Sequence, residues 1–135
     1  MSNVSRGIRN NNPFNIKKSL NSWKGKLKFS ADETFEQFQT MDYGLRAGFQ
    51  LLRGYIARGF DTTEKIINRF APTSENNVAR YINFVCEDSP LAPYTQISVN
   101  SLTFFWLCQK ILRYESHFEL SYDRYIKVVE KFRLW

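Results

Sequence analysis

The sequence contains little cysteine, histidine, proline or glycine. Of its 135 residues, two are cysteine, one is histidine, four are proline and six are glycine. Cys86 and Cys108 lie in apolar, helix-like surroundings, which predicts two buried free thiols. A single histidine and the absence of a Cys-x-x-Cys pair leave a zinc site without ligands, and no glycine-rich phosphate loop is present. We therefore expect neither a metal nor another cofactor.

Long hydrophobic runs are also missing. No segment approaches the ~18 uninterrupted apolar residues of a membrane-spanning helix, and the first residues lack the apolar core of a signal peptide. We expect a protein made in the cytoplasm without a signal peptide and without stable insertion into a membrane.

Basic and aromatic residues are abundant. Lysine and arginine number 19 against 13 acidic residues, a net charge of +6, and aromatic residues make up 16% of the chain. This charge favours polyanionic partners, namely nucleic acid, anionic membrane or the bacterial cell wall. No predicted helix presents a dense basic face, so we do not expect nucleic acid to be the partner.

The hydrophobic pattern predicts a mainly α (α+β) chain forming a single domain over residues 1–135. Residues 1–41 are rich in turn-forming residues and contain one alternating segment, Thr34 to Gln39, which predicts a small loop and strand lobe. Residues 42–135 predict about five helices. The first runs from a cap at Asp42 to a stop at Gly59. The second runs from Thr62 or Thr63 to Phe70, and the third begins within Ser74 to Asn77. The fourth, from Leu102 to Leu112, is apolar on nearly all sides, and Ser121 caps the last helix.

Several segments resemble a group of bacteriophage and prophage virion-associated lytic proteins. The resemblance covers about 110 residues in order, and its most specific part is the string RGIRNNNPFNI at residues 6–16. The further matching segments are Trp23 to Gly25, Phe35 to Phe38, Tyr43 to Ala47, Ala71 to Asn77, Tyr81 with Ile82, and Tyr114 to Ser116.

The order of these parts is similar to that in glucosaminidases and lytic transglycosylases of the lysozyme superfamily, but cyclically shifted. In those enzymes a buried helix ending in Glu-Ser-Gly precedes an asparagine-rich turn, whereas here Glu115 and Ser116 come last. The resemblance implies a circularly permuted lysozyme-like domain. It departs at His117, where the family motif has glycine, and at Phe70, where related glucosaminidases often have tyrosine.

The chemistry of glycosidic bond cleavage gives a separate reason to select Glu115. This reaction needs a carboxylic acid that is still protonated near neutral pH. A buried helix end beside aromatic rings disfavours the ionised form, as in the well-known case of lysozyme. A second catalytic carboxylate, if one is used, would come from the strand lobe, where Glu36 and Glu33 are the candidates beside Asp32.

The predicted substrate-binding residues are mostly amides and aromatics. Asn11, Asn12 and Asn15 carry amides suited to sugar hydroxyl and N-acetyl groups, although asparagine also favours turns through its own backbone bonds. Trp23 and Tyr43, like Tyr55, could stack on sugar rings or pack in the core. The resemblance adds Glu75, Tyr81 and Ser116, and the alternative role for Glu75 is to complement a helix N-terminus.

Together these features predict a peptidoglycan-degrading enzyme, a muramidase or lytic transglycosylase, with Glu115 as general acid/base. Its partners would be the glycan strands of the wall and components of a virion or secretion apparatus. It would act at the cell wall or be carried in a virion. The alternatives are an endopeptidase on the same scaffold and a non-catalytic virion or wall-binding protein.

Overall fold

A computed structural model describes residues 4–71 and 77–135 of the chain. The described part is mainly helical, as the sequence predicts. Its helices are α1 (Arg6–Arg9), α2 (Met41–Ala57), α3 (Thr63–Phe70), α4 (Val78–Cys86), α5 (Leu102–Ser116) and α6 (Tyr122–Lys131). The sequence pattern predicted about five helices, because the single turn of α1 is too short to show a helical period.

The N-terminal lobe contains no continuous strand within the described residues, so the prediction of a strand from Thr34 to Gln39 is wrong. Only isolated antiparallel bridges form there, between Lys17 and Phe35 and between Lys26 and Phe38. The backbone N–H of Glu36 donates to Ile16 O, while that of Phe38 donates to Asn10 O. The segment therefore divides its hydrogen bonds among several loops, and no regular ladder develops.

The two ends of α2 are set by a local cap and a glycine, while Asp42 in its first turn forms tertiary ion pairs. Thr40, rather than Asp42, caps the helix, because the Thr40 hydroxyl accepts a hydrogen bond from the backbone N–H of Tyr43 at 3.3 Å. Asp42 lies in the first turn and binds Arg124 and Lys131, each at 3.0 Å. The C-terminal stop is as predicted, since Gly59 adopts a φ of +93° just beyond the helix.

The core is built around α5, which is buried on most faces and packs against α4 and α1. Helix α2 packs against α3 and α6. An aromatic cluster fills the centre, with the Phe49 ring in edge contact with Phe14, Phe104 and Tyr125 at centroid distances of 5.9, 6.3 and 5.4 Å. These contacts bring the first loop, α2, α5 and α6 together, and they hold the N-terminal turn against the C-terminal half of the chain.

Three further predictions concern α4, the cysteines and the membrane. Helix α4 begins after a cap at Asn77, and the predicted start at Ser74 to Asn76 lies outside the described residues. Both cysteines are free thiols, as predicted, but only Cys108 is fully buried and Cys86 is half-buried. No helix in the described part of the chain combines the length and the apolar character needed to cross a bilayer.

Candidate functional site

Glu115 lies in the last turn of α5, where the most buried helix of the fold reaches the surface of a cavity. Ser116 ends the helix, and His117 follows with a φ of +54°, the left-handed region that favours glycine. Histidine adopts this conformation at some backbone cost. The carboxylate of Glu115 is consequently held at a helix end whose partial negative charge disfavours ionisation.

Both carboxylate oxygens of Glu115 accept a hydrogen bond. The Tyr81 hydroxyl donates to Oε2 at 2.7 Å, and the side-chain amide of Asn15 donates to Oε1 at 3.0 Å. The same amide also donates to the backbone oxygen of Glu115 at 3.1 Å. Asn15 comes from the first loop and Tyr81 from α4, so three separate parts of the chain fix the orientation of this side chain.

Burial raises the pKa of Glu115, whereas its hydrogen bonds with Asn15 and Tyr81 lower it. Burial is the larger effect, so the net shift is upward, the direction predicted from the sequence. The pKa of Tyr81 is raised well above its ordinary value, because the ring is buried and the Glu115 carboxylate lies beside its hydroxyl. Tyr81 therefore remains a protonated donor to Glu115 over the physiological pH range.

Glu115 opens onto a cavity of about 590 Å³. Its lining residues are Phe14, Asn15, Ile16, Lys17, Phe35, Leu51, Tyr55, Arg69, Phe70, Ala71 and Glu115. The cavity therefore brings Glu115 together with Asn15 of the asparagine turn and with Phe35. Glu115 is the one carboxylate among the described lining residues.

Two further cavities adjoin this one through shared residues. Leu51 also lines a cavity of about 390 Å³ that contains Trp23, and Arg69 also lines one of about 570 Å³ beside Tyr94. The Glu115 cavity thus shares one lining residue with each of the other two cavities.

The asparagine turn itself is a scaffold. Asn11 and Asn15 adopt φ values of +52° and +54°, which asparagine tolerates better than most residues. The Asn12 amide donates to Ile16 O and Glu36 O, each at 2.9 Å, and the Asn11 amide donates to Phe38 O at 3.1 Å. Of the three asparagines predicted to bind sugar, only Asn15 lines the cavity.

Ser116 and Tyr81 are buried residues next to Glu115 that link it to other parts of the fold. The Ser116 hydroxyl donates to Pro13 O at 2.8 Å, and its backbone oxygen accepts from the Ser5 hydroxyl at 2.9 Å. Both Ser116 and Tyr81 are fully buried, and Tyr81 stacks on Tyr114 with centroids 3.8 Å apart. Neither lines the cavity, so the geometry gives them the role of positioning Glu115 and its turn.

The structure does not bring the two predicted partner carboxylates into the Glu115 cavity. Glu36 is 3% exposed and forms an ion pair with Lys26 at 3.0 Å, which explains its burial within the lobe. Glu33 is exposed and lines no part of the cavity. Glu75, assigned above to substrate binding or helix capping, lies outside the described residues.

Of the aromatic residues predicted to stack on sugar rings, some line a cavity and another packs against the core. Trp23 is half-buried and lines the cavity that adjoins the site across Leu51. Tyr43 packs against Phe132 with centroids 5.4 Å apart and does not line the Glu115 cavity. Tyr55, which the sequence marked as a stacking candidate, does line it.

Sequence reasoning missed the basic residues of the site, Lys17 and Arg69, which both line the cavity. Arg69 lies on the polar face of α3, where a solvated charge is expected, so no local signal distinguishes it. The described residues contain no group of three or more histidine, cysteine or acidic side chains that could hold a metal ion.

No protein family model matches the chain. A search of curated proteins finds Protein P5 of Pseudoalteromonas phage PM2, which is 45% identical over 86 residues. The chain is similar to a bacteriophage protein. The match covers 61% of this chain and 54% of Protein P5, so the chain spans about half the length of that relative. The phage association predicted from the sequence is supported, while the relative's name states no activity.

Proposed function

We propose that the protein is a peptidoglycan-degrading enzyme that cleaves the glycan strand, with Glu115 as its general acid/base. The observation that carries this proposal is the placement of Glu115. It is a carboxyl group with a raised pKa, oriented by two donors, at the wall of a cavity large enough for sugar rings. The similarity to a phage protein is compatible with carriage in a virion.

A carboxylic acid in this environment suits proton transfer to a glycosidic oxygen. Glu115, protonated at the start, gives its proton to the leaving oxygen as the bond to the anomeric carbon breaks. The resulting carboxylate is stabilised by Asn15 and Tyr81, because both donate hydrogen bonds that favour the ionised form. The same carboxylate can then accept a proton from the group that attacks the anomeric carbon.

The presence of a single carboxylate among the described lining residues supports transglycosylation rather than hydrolysis. An inverting or retaining hydrolase needs a second carboxylate across the bond, and none lies among the described lining residues beside Glu115. A lytic transglycosylase uses one glutamate, since a hydroxyl of the substrate attacks the anomeric carbon. That route closes an anhydro ring on the sugar and consumes no water.

We also propose that the fold is a circularly permuted lysozyme-like domain. The end of the buried helix and the asparagine turn, which follow each other directly in the related enzymes, are about 100 residues apart here. They nevertheless meet through the Ser116 hydroxyl on Pro13 O and the Asn15 amide on Glu115. This contact is what a permutation would preserve, because it moves the chain ends and leaves the packing intact.

Digestion of purified peptidoglycan tests the function, with soluble products identified by mass spectrometry. We expect anhydro-muropeptides from the wild type and a loss of at least about 100-fold in Glu115→Gln, the usual range for removing a general acid. Glu33→Gln is the control, because that glutamate is exposed and outside the cavity. Glu36→Gln, checked for folding, should retain the same products.

Each alternative gives a different result in this assay. Products with reducing ends would show that the enzyme is a hydrolase and not a transglycosylase. Cleaved peptide cross-links with intact glycan strands would show that it is an endopeptidase. Wall binding without any soluble product, unchanged in Glu115→Gln, would favour a non-catalytic virion or wall-binding protein.

A further inference from the structure

Two exposed arginines flank the Tyr55 side of the Glu115 cavity, and each is stacked on an aromatic ring. The Arg58 guanidinium carbon lies 5.7 Å from the ring centre of Tyr55, and that of Arg69 lies 5.1 Å from the ring centre of Phe60. Arg58 caps the C-terminus of α2, while Arg69 is in the last turn of α3. Stacking restricts where each guanidinium can point, although both remain exposed to solvent.

The guanidinium N–H donors of these two arginines form no hydrogen bond or ion pair within the described part of the chain. Three other guanidinium groups, in contrast, are held by carboxylates of this protein. A guanidinium carries five N–H donors in a rigid fork, and stacking on a ring leaves the edge of the fork available. Arg58 and Arg69 therefore present oriented donors that match the geometry of a carboxylate.

Both charges are close to the cavity that contains Glu115. Arg69 lines this cavity and the adjoining one beside Tyr94, while Arg58 lines the adjoining cavity beside Trp23. The positive charges of both arginines lower the pKa of the Tyr55 hydroxyl, against the larger effect of burial, which raises it. Both cations thus lie close enough to Tyr55, a lining residue of the cavity, to act on its hydroxyl.

We propose that Arg58 and Arg69 form a carboxylate-binding site at the rim of the Glu115 cavity, which binds an acidic substituent carried by the glycan. A neutral sugar offers these guanidinium groups only hydroxyl and carbonyl oxygens, whereas a carboxylate on a side group adds an opposite charge and a bidentate geometry. The site therefore selects acidic glycans over neutral ones. This inference rests on the proposed function and specifies its substrate class.

Binding measurements in the Glu115→Gln background test the site without turnover. The probes are a tetrasaccharide-peptide fragment of peptidoglycan with free carboxylates and the same fragment after its carboxylates are converted to amides. Titration calorimetry at about 0.15 M salt gives the ratio of the two Kd values, because long-range charge effects are screened there. The added substitutions are Arg58→Gln, Arg69→Gln and both together. Arg113→Gln is the matched control, since Arg113 is held by Glu119 outside the cavity.

We expect the acidic fragment to bind about tenfold more tightly than the amidated one. Each single substitution should reduce this ratio about threefold, and the double substitution should bring it close to one, in keeping with exposed charge pairs. Arg113→Gln should leave the ratio unchanged. Equal, measurable binding of the two fragments to the parent protein would overturn this inference and leave the proposed function standing. If neither fragment bound to the parent protein, both this inference and the proposed function would be overturned.

Discussion

Tyr81→Phe isolates the hydrogen bond that holds the Glu115 carboxylate. Tyr81 is fully buried and stacks on Tyr114 at 3.8 Å, so phenylalanine keeps the ring packing and removes only the hydroxyl. The lost bond is the 2.7 Å contact with Glu115 Oε2. A hydrogen bond to a charged group is worth about 1.5–3 kcal/mol and a neutral one about 0.5–1.5 kcal/mol. The cost of the substitution should therefore depend on the protonation state of Glu115.

We expect Tyr81→Phe to lower the free energy of unfolding by about 2 kcal/mol at a pH above the raised pKa of Glu115, where the group is ionised, and by about 1 kcal/mol at pH 4, below that pKa, where it is protonated. Urea unfolding followed by tryptophan fluorescence measures both values. Tyr114→Phe removes a hydroxyl from the stacked neighbour, which does not bond to Glu115, so its cost should be the same at both pH values. An equal cost of Tyr81→Phe at the two pH values would refute the reasoning.

The same substitution has a consequence for catalysis under the proposed function. Loss of the Tyr81 donor raises the pKa of Glu115 further, because that bond favours the ionised form. A general acid works only while it is protonated, so activity should persist to higher pH in the variant than in the wild type. A decline that moves to lower pH would contradict the assigned direction of the hydrogen bond.

Three other predictions concern stability. Glu115 has a raised pKa in the folded state, so the folded chain holds its proton to higher pH than the unfolded chain, and stability falls as pH rises above the ordinary glutamate range. Glu115→Gln should remove this decrease. If the unfolding free energy of the variant keeps the wild-type pH dependence between pH 4 and 8, Glu115 is not the cause of the decrease. On α2, Gly48→Ala should destabilise the protein by about 2 kcal/mol, because its Cβ would overlap the Phe14 ring. Gly54→Ala should stabilise it by about 1 kcal/mol, because nothing lies within 4 Å of its Cβ and alanine favours the helix; thermal melts that give both changes the same sign would count against this packing.

The sequence determined those features that depend on neighbours along the chain. The helical period and the flanking cap residues predicted α2, α3, α5 and α6, because side-chain spacing and capping act within a few residues. Glu115 could also be selected, since it follows the most apolar helix, whose end must lie against the core. Even so, the predicted cap of α2 at Asp42 is wrong: the Thr40 hydroxyl caps the helix, and Asp42 instead binds residues more than 80 positions away, which no local pattern shows.

Only the tertiary structure decided what surrounds Glu115. The Tyr81 hydroxyl and the Asn15 amide reach the carboxylate from 34 and 100 residues away, distances at which no sequence period operates. The same holds for Glu36, whose charge looks like that of any strand-edge glutamate until Lys26 is found beside it in the folded lobe. Residue types and local helices were therefore accessible from the sequence. The donors to Glu115, the ion pairs and the basic rim of the cavity depend on contacts that exist only in the folded protein.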